Sequence, residues 1–256
     1  MTNIYNKTDL DPVNSFERHI FHRDQFAHYL RWTFILKNAK IWQSICDFWC
    51  WKWNLFEVFY RNRYKPKKYT WLDIRWKTIE NNKKKFNMDY VEFIEEDLVT
   101  LEKWTILENI KADVVTSFEV IEHIWKLNVN KFLQNFKICW NSEAIYYLST
   151  PNYDEQVWAA GNHTYPNYKW WEPVIQEFSF YELQKILEKN WFEIIKTIWM
   201  FASQKDYKKW KMEDWQEKMF KNISNIFDTN IVSVIMAWIL PAELSRNTLW
   251  ILKIKK

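Results

Sequence analysis

A shortage of glycine constrains this chain more than any other feature of its sequence. Its 256 residues include a single glycine and 19 tryptophans, whereas an average protein of this length contains about 18 glycines. Glycine supplies the positive φ angles of tight turns and helix C-termini, because it has no Cβ atom. A globular chain of this size therefore needs either an unusual architecture or other residues written at its glycine positions.

Bulk composition narrows the class of protein. The formal net charge of +4 permits contact with phosphate groups but does not by itself indicate a nucleic-acid interface. Cys46, Cys50 and Cys139 form no CxxC pair, which is typical of a reducing compartment and of a protein without structural disulfides. Residues 1–12 lack the apolar core of a signal peptide, and the longest apolar run, 232–240, is too short to span a bilayer. We therefore expect a cytoplasmic protein with no membrane partner.

Short apolar runs alternate with amphipathic segments along most of the chain. Strands are predicted over 44–48, 69–74, 91–94, 113–118, 144–149, 192–198 and 249–254. Helical spacing is found near 54–62, 76–86, 126–139 and 179–190. This alternation indicates βαβ units, and therefore an α/β fold with a mainly parallel sheet covered on both faces.

The two ends of the chain depart from this alternation. Residues 14–38 have apolar residues at helical spacing, and their predicted buried face consists of Phe16, Ile20, Phe26, Tyr29, Leu30 and Phe34. Segment 205–245 is first charged and then apolar, which predicts a helical insertion before the last strand. We expect one domain over 1–256, comprising a helical extension (1–40), a core (41–200), this insertion (205–245) and a final strand (246–256).

The tryptophans stand where glycine is expected. Trp49, Trp51 and Trp53 alternate directly after the first predicted strand, and glycine at all three would give a loop in which the backbone can approach a ligand closely. Trp191 follows a predicted helix, at the position where glycine is strongly enriched. Trp71, Trp199 and the pair at 170–171 are also predicted at strand edges or in loops.

We interpret most of these tryptophans as glycines whose codon, UGA, was translated with the wrong genetic code. Trp32, Trp215 and Trp250 lie within helix-like or strand-like apolar patterns and are expected to be genuine. The alternative is a literal tryptophan-rich interaction protein without catalytic activity.

With that substitution, residues 47–53 resemble the D-x-G-x-G-x-G loop of class I S-adenosylmethionine-dependent methyltransferases. The resemblance covers about residues 40–200 and the closing strand. Residues 14–38 are expected to form a helical lid over the cofactor, and the alternative is a packed helix with a partly functional face. The resemblance implies a Rossmann-like, seven-stranded, mostly parallel sheet with one antiparallel strand near the C-terminus. It also implies contacts with the methionine part of the cofactor from Asp47, Trp49, Cys50, Trp51 and Trp53. A nicotinamide-binding G-x-G-x-x-G loop is the alternative, but its third glycine would fall at residue 54, which is asparagine.

Two further segments carry the same resemblance. Asp73 ends the second predicted strand and, with Ile74, matches the family position that binds the ribose hydroxyls; a carboxylate offers paired acceptors to such a diol. The alternative role of Asp73 is to cap the next helix. Asp97 and Leu98 match the position that contacts adenine, and the alternative for Asp97 is a solvated acidic turn.

The segment 112–124 matches the fourth strand of the family and the turn after it. The resemblance implies that Phe118 and Glu119 contact the cofactor and that Glu119, Glu122 and His123 lie near the transferred methyl group, although all three could be structural. His163, in the loop after the fifth predicted strand, is a candidate general base for a hydroxyl acceptor. A second hypothesis places a divalent metal on Glu119, Glu122, His123 and His163, as in enzymes that methylate the terminal 2′-hydroxyl of small RNAs. The preferred mechanism needs no metal.

The expected function is therefore methyl transfer from S-adenosyl-L-methionine to an oxygen or nitrogen acceptor. A small metabolite or glycan is the favoured acceptor, and nucleic acid stays open, because many chemistries share this scaffold. A nicotinamide-dependent oxidoreductase is the competing class of enzyme. The sequence carries no signal for oligomeric state.

The glycine interpretation makes a prediction about the gene. Codons 49, 51 and 53 are expected to be UGA, and those of Trp32, Trp215 and Trp250 to be UGG. Sequencing of the gene checks this directly, and UGG at 49, 51 and 53 would refute the interpretation.

Overall fold

A computed structural model describes residues 23–48, 54–100, 107–138, 140–152, 178–202, 211–227, 229–240 and 245–256. Seven strands form one sheet: β1 (Ser44–Phe48), β2 (Lys68–Asp73), β3 (Val91–Glu95), β4 (Ala112–Phe118), β5 (Trp140–Pro151), β6 (Phe192–Ala202) and β7 (Ser245–Ile254). Every predicted strand is present, and most differ from the prediction by only a few residues at their ends.

The strand order is β3-β2-β1-β4-β5-β7-β6. Strands β1 to β5 pair in parallel, whereas β7 runs antiparallel between β5 and β6. The central strands are buried on both faces, which explains why neighbouring residues such as Trp71 and Leu72, or Val114 and Val115, are both apolar. The predicted α/β fold, a seven-stranded and mostly parallel Rossmann-like sheet flanked by helices, is confirmed.

The described residues contain seven α-helices: α1 (Arg23–Asn38), α2 (Asn54–Arg61), α3 (Trp76–Lys85), α4 (Val129–Ile138), α5 (Phe180–Lys189), α6 (Asp214–Ser224) and α7 (Thr229–Ala237). Local signals define their ends. Ser179 caps α5 by accepting a hydrogen bond from the Glu182 backbone at 3.1 Å, and Glu213 and Gln216 form a capping box on α6. Helices α6 and α7 lie between β6 and β7 in the chain, as predicted for the insertion. No described helix is long and apolar enough to cross a bilayer.

The helices bury two separate hydrophobic clusters against the two faces of the sheet. On one face, α1, α2 and α3 contribute Ala27, Trp32, Ile35, Leu55, Phe56, Phe59 and Ile79. On the other face, α4 and α5 contribute Val129, Phe132, Leu133, Phe136, Leu183 and Leu187. Each large side chain buried in this way stabilises the fold by about 1.5–3 kcal/mol, so the sheet is anchored from both sides.

The buried face of α1 differs from the prediction. Tyr29 is 61% exposed, and Leu30 and Phe34 are only partly buried, whereas Ala27, Trp32 and Ile35 are fully buried. The fourth buried side chain of this helix is Arg31. The prediction rests on a pattern in which charged residues face solvent. Because Arg31 is buried, the buried face of the helix is rotated relative to the predicted face. Phe16 and Ile20 lie outside the described residues.

Trp191 adopts a backbone conformation that favours glycine. It lies two residues after the end of α5 and has φ of 66°, in the left-handed region. Its N–H donates to the Glu188 carbonyl at 3.1 Å, and its carbonyl accepts from Lys255 at 2.9 Å, so the turn from α5 into β6 depends on this conformation. A Cβ atom makes the left-handed region unfavourable, and the exposed indole regains little burial energy.

Two other tryptophans occupy positions that differ from the prediction. Trp71 and Trp199 lie inside β2 and β6 and not at strand edges or in loops. Their indole N–H groups are buried and have no hydrogen-bond partner among the described residues, which is a destabilising arrangement. By contrast, the indole of Trp215 donates to Glu213 at 2.6 Å. Trp71, Trp191 and Trp199, which are assigned as misread glycines, therefore have conformational or hydrogen-bonding penalties. Trp215 has no such penalty.

The left-handed conformation of Trp191 predicts the effect of a single substitution. Trp191→Gly is expected to raise the free energy of unfolding by about 0.5–1 kcal/mol, because relief of the Cβ clash exceeds the extra entropy of glycine in the unfolded chain. Trp215→Gly is the matched control, since Trp215 is also exposed but lies in a helix, and its replacement should lower stability by about 1 kcal/mol. Urea unfolding measures both, and a destabilising Trp191→Gly would contradict the prediction.

Candidate functional site

Acidic residues gather at the carboxyl edge of the sheet. Asp47 and Asp73 lie near or at the carboxyl ends of β1 and β2, while Glu119 and Glu122 follow β4. Because the parallel strands end at the same edge, these carboxylates share one region of the molecule. Ligands of open α/β sheets bind at this edge, which makes it the candidate site.

The Asp47 carboxylate ties three strands together. Its two oxygens accept hydrogen bonds from the hydroxyls of Tyr69 on β2, at 2.8 Å, and Thr116 on β4, at 2.5 Å. Burial raises the pKa of Asp47 to about 6; the two hydrogen bonds oppose this rise, and the nearby Asp73 adds to it. These contacts give Asp47 a structural role within the sheet, and its predicted contact with a cofactor stays a prediction.

Asp73 presents an unused acceptor at the end of β2. Its Oδ1 atom accepts from the backbone N–H of Arg75 at 2.8 Å, while its buried Oδ2 atom has no partner among the described residues. Burial raises the pKa of Asp73, and the contacts with Arg75 oppose the rise. The adjacent Ile74 is 46% exposed. A buried carboxylate oxygen next to an exposed apolar side chain is suited to a ligand that carries hydroxyl donors on an apolar or aromatic body.

Glu119 is held in an unusual conformation directly after β4. Its φ is 55°, in the left-handed region, and its backbone N–H donates to the Ser149 carbonyl at 2.9 Å. The Oε1 atom accepts from Arg31 at 2.7 Å and from the Ser149 hydroxyl at 2.9 Å, and Oε2 accepts from Asn247 at 2.9 Å. A non-glycine residue keeps such a conformation only where its surroundings impose it, and here three elements, α1, β5 and β7, impose it.

Arg31 is the residue of this site that the sequence analysis missed. It lies on α1, its side chain is 2% exposed, and its Nη1 atom donates to both Glu119 and Ser149, the latter at 2.9 Å. Its Nη2 atom contacts Nδ1 of His28. Burial, and then the charge of Arg31, lower the pKa of His28 well below its usual value. No local pattern identifies Arg31, because its ionic partner is 88 residues away in the chain.

Glu122 lies buried in the short turn Ile121–His123. Its Oε2 atom accepts from the Thr150 hydroxyl at 3.0 Å. Burial, and then the neighbouring charge of Glu119, raise the pKa of Glu122 well above its usual value, and the hydrogen bond from Thr150 opposes the rise. His123 ends the same turn and is half-buried.

Asp97 caps its own turn after β3. Its oxygens accept from the backbone of Val99 at 2.9 Å and from the hydroxyl of Thr100 at 2.7 Å. Leu98 is buried, and its carbonyl accepts from Asn135 at 2.6 Å. The structure thus contains the acidic turn that the sequence analysis gave as the alternative, while adenine contacts from Asp97 and Leu98 stay predictions.

Several predicted site residues lie outside the described residues, namely Trp49, Cys50, Trp51, Trp53 and His163. The chain nevertheless leaves β1 at Phe48 and enters α2 at Asn54, so the tryptophan-containing loop begins at the same edge as Asp73. Phe118 is half-buried, and the Arg31 guanidinium lies 5.5 Å from the centre of its ring.

The metal hypothesis gains no support from the part of the chain that the structure describes. No cluster of three or more histidine, cysteine or carboxylate ligands is found there in a geometry that could hold an ion. Glu119 instead pairs with the Arg31 cation, which competes with a metal for the same carboxylate oxygen.

Comparison with solved structures shows the same architecture in known proteins. A Burkholderia thailandensis N1-methyltransferase, crystallised with 1,6-didemethyltoxoflavin and S-adenosylhomocysteine, matches with TM-score 0.58 and 10% identity over 95% of this chain and 85% of its own. An S-adenosylmethionine-dependent methyltransferase from Clostridium acetobutylicum matches with TM-score 0.54 and 11% identity over 95% and 96%. No family model matches the sequence, and no curated protein does.

These similarities establish the fold, which is that of class I S-adenosylmethionine-dependent methyltransferases. They do not by themselves establish the reaction. The 4+2 cyclase SpnF matches equally well, with TM-score 0.56 and 10% identity over 90% of this chain and 81% of its own. Function therefore has to be argued from the residues at the carboxyl edge.

The raised pKa of Asp47 predicts a pH dependence of stability. Because its folded pKa, about 6, exceeds its ordinary value of 3.8, the folded state retains a proton that the unfolded state releases between these values. The Asp47 contribution to stability is therefore greatest at low pH within this window and falls by about 2 kcal/mol as pH rises from 4 to 7.

Asp47→Asn is expected to remove the loss of stability that Asp47 causes. The loss caused by Asp73 and Glu122 is expected to persist, because their pKa values are also raised. Urea unfolding between pH 4 and 7 measures how the free energy of unfolding changes with pH, and Asp89→Asn at an exposed position is the control. An unchanged slope in Asp47→Asn would refute the assignment.

Proposed function

We propose that this chain, with glycine at its misread positions, is an S-adenosyl-L-methionine-dependent methyltransferase acting on an oxygen or nitrogen acceptor. The observation that carries the proposal is the buried, unpartnered Oδ2 atom of Asp73, next to the exposed Ile74. This acceptor lies at the edge where loop 49–53 begins, in a fold shared with enzymes of this class.

Each part of the edge has a role in holding the cofactor. Asp73 accepts hydrogen bonds from the two ribose hydroxyls through Oδ2 and the remaining lone pair of Oδ1. Ile74 packs against the adenine ring, and Asp97 and Leu98 lie on the next strand end, where the base would extend. The backbone of loop 49–53, with glycines at 49, 51 and 53, wraps the methionine part.

The cofactor, when bound, supplies an electrophilic methyl carbon on a positively charged sulfur. The acceptor's lone pair forms the new bond, the carbon–sulfur bond breaks, and its electron pair stays on sulfur, which yields S-adenosylhomocysteine. The chain's contribution is to hold the two reactants at attack distance. For a hydroxyl acceptor it must also remove a proton, for which His163 and His123 are the candidates.

The glycine interpretation is part of this proposal. It is supported by the left-handed backbone of Trp191 and by the buried indole N–H groups of Trp71 and Trp199, which have no partner among the described residues. An indole side chain at 49, 51 or 53 would also occupy the space in which the methionine part of the cofactor lies.

The nicotinamide alternative is less consistent with the sheet. Dinucleotide-binding folds also place an acidic residue on a ribose after the second strand, but their common strand order is 3-2-1-4-5-6. Here an antiparallel β7 is inserted between β5 and β6. Within the described part of the chain, no cluster of metal-binding side chains favours the metal-assisted RNA methyltransferase over a metabolite or glycan acceptor.

Cofactor binding tests the proposal. The glycine-decoded protein, in which every tryptophan except Trp32, Trp215 and Trp250 is replaced by glycine, is expected to bind S-adenosylhomocysteine in isothermal calorimetry. The chain with tryptophan at 49, 51 and 53 is expected not to bind. Asp73→Asn in the glycine-decoded protein keeps the acceptor for Arg75 but loses the charge, and should weaken binding by about 10- to 100-fold.

Two outcomes would contradict the proposal. One is equal affinity for S-adenosylhomocysteine of the glycine-decoded protein and of the chain with tryptophan at 49, 51 and 53, because the loop would then not line the site. The other is binding of NAD with no binding of S-adenosylhomocysteine, which would assign the chain to the oxidoreductases. Transfer of label from S-adenosylmethionine into fractionated host extract then identifies the acceptor.

A further inference from the structure

A cavity lies at the amino edge of the sheet, at the opposite end of the parallel strands from the candidate site. Its volume is about 560 Å³, and residues at the starts of β1, β2, β3 and β4 line it. Cavities of this size hold small-molecule ligands. Ile45, Thr70, Ile110 and Ala112 belong to the lining and are buried. The cavity is therefore built on the sheet itself.

The alternation of side chains along β2 explains why the cavity is polar. Lys68, Thr70 and Leu72 are alternate residues of this strand, so their side chains project from the same face of the sheet. Leu72 packs in the hydrophobic cluster with Leu107 and Ile110. Closer to the amino end of the strand, Thr70 and Lys68 line the cavity in its place. One face of the sheet thus changes from apolar to polar along β2.

The carboxylates that line the cavity are paired with lysines. Glu92 pairs with Lys68 at 2.7 Å, and Asp89 pairs with Lys65 at 3.5 Å. Each ion pair is exposed and contributes little to stability. The pairs nevertheless neutralise both carboxylates, so that any further cation in the lining gives the cavity a net positive charge.

Two further lysines, Lys67 and Lys111, supply that charge. Both are exposed lining residues, and neither forms an ion pair with another described residue. Lys67 directly precedes β2 and Lys111 directly precedes β4, so neither lies in the last turn of an α-helix, where a lysine would complement the helix dipole. Because β1 separates β2 from β4, the two backbones are about 10 Å apart. Flexible lysine side chains can converge on one ligand from this distance.

Thr70 adds a buried hydroxyl to the same lining. The residue is 1% exposed, and its hydroxyl contacts Oε2 of Glu92 at 3.5 Å. Hydrogen bonds between a hydroxyl and an oxygen are normally about 2.5–3.0 Å long. The same Oε2 atom lies closer to Lys68, at 2.7 Å. The Thr70 hydroxyl is therefore weakly bonded, and a closer acceptor in the cavity would stabilise it.

We propose that this cavity is a second ligand site, which binds a small molecule carrying a diphosphate group. Lys67 and Lys111 bind the phosphoryl oxygens from two sides, and the Thr70 hydroxyl donates to one of them. Phosphate is favoured over carboxylate because the cations of the described lining are lysines. Lysine binds phosphate as a point charge, whereas paired recognition of a planar carboxylate uses arginine. The site is independent of the methyltransferase function proposed above.

Titration of the glycine-decoded protein with pyrophosphate, followed by isothermal calorimetry and phosphorus NMR, tests this proposal. Pyrophosphate has no ribose, so it cannot use the contact proposed for Asp73. Lys67→Gln and Lys111→Gln are each expected to weaken pyrophosphate binding by about 10-fold, and Thr70→Val by about threefold. Saturation with S-adenosylhomocysteine should leave the pyrophosphate affinity unchanged, because the two sites lie at opposite edges of the sheet.

Matched variants separate a defined site from attraction by overall charge. Lys83→Gln and Lys84→Gln remove the same charge from the exposed last turn of α3, and they should leave the pyrophosphate affinity unchanged. Glu92→Gln removes a negative charge and releases Lys68 from its ion pair, so it should strengthen binding. None of the described lining residues is a tryptophan, so the same results are expected for either decoding of the chain.

Four results would overturn the proposal. They are a folded parent that does not bind pyrophosphate, equal losses of affinity in the α3 variants, displacement of pyrophosphate by S-adenosylhomocysteine, and citrate binding as tight as that of pyrophosphate. The last result would replace phosphate by carboxylate as the ligand class. Retained pyrophosphate binding in a protein that does not bind S-adenosylhomocysteine contradicts the proposed methyltransferase function and supports this site, so the two failures are distinguishable.

Discussion

The structure depends on an excess of buried carboxylates at one edge of its sheet. Asp47, Asp73 and Glu122 are each buried, and burial raises the pKa of all three. Among the described residues, Arg31 supplies the one buried cation that pairs with a carboxylate there, and it is used by Glu119. The edge is therefore a poor environment for anions and a good one for a ligand that brings hydroxyl donors and positive charge.

The same edge joins distant parts of the chain. Arg31 comes from the first described helix and Asn247 from the last strand, and both donate to Glu119 between them. These contacts thus join α1 and β7 to the end of β4. Asp47 performs a comparable task one strand away, since it binds β2 and β4 to β1 through two hydroxyl donors. Polar contacts therefore organise the site, while apolar packing organises the rest of the sheet.

Much of the fold was predictable from sequence, because a strand buried on both faces must be a short apolar run, as in 112–118, and such runs are visible without context. The contacts of Glu119 with Arg31 and Asn247 were not predictable, because these residues lie 88 and 128 positions away from Glu119 in the chain. In addition, a lone arginine in a helix resembles a solvent-exposed residue. Trp71 shows another limit: its burial in β2 follows from neighbours on other elements, such as Phe56 and Phe93. Asp73 was identifiable because a motif and a strand end coincide there.

The most direct test of this account is a crystal structure of the glycine-decoded protein with S-adenosylhomocysteine. The account predicts that the ribose hydroxyls lie about 2.5–3.0 Å from the Asp73 carboxylate, with Oδ2 satisfied, and that loop 49–53 encloses the methionine part. A ligand bound elsewhere, or an Asp73 Oδ2 atom that remains without a partner in the complex, would contradict it.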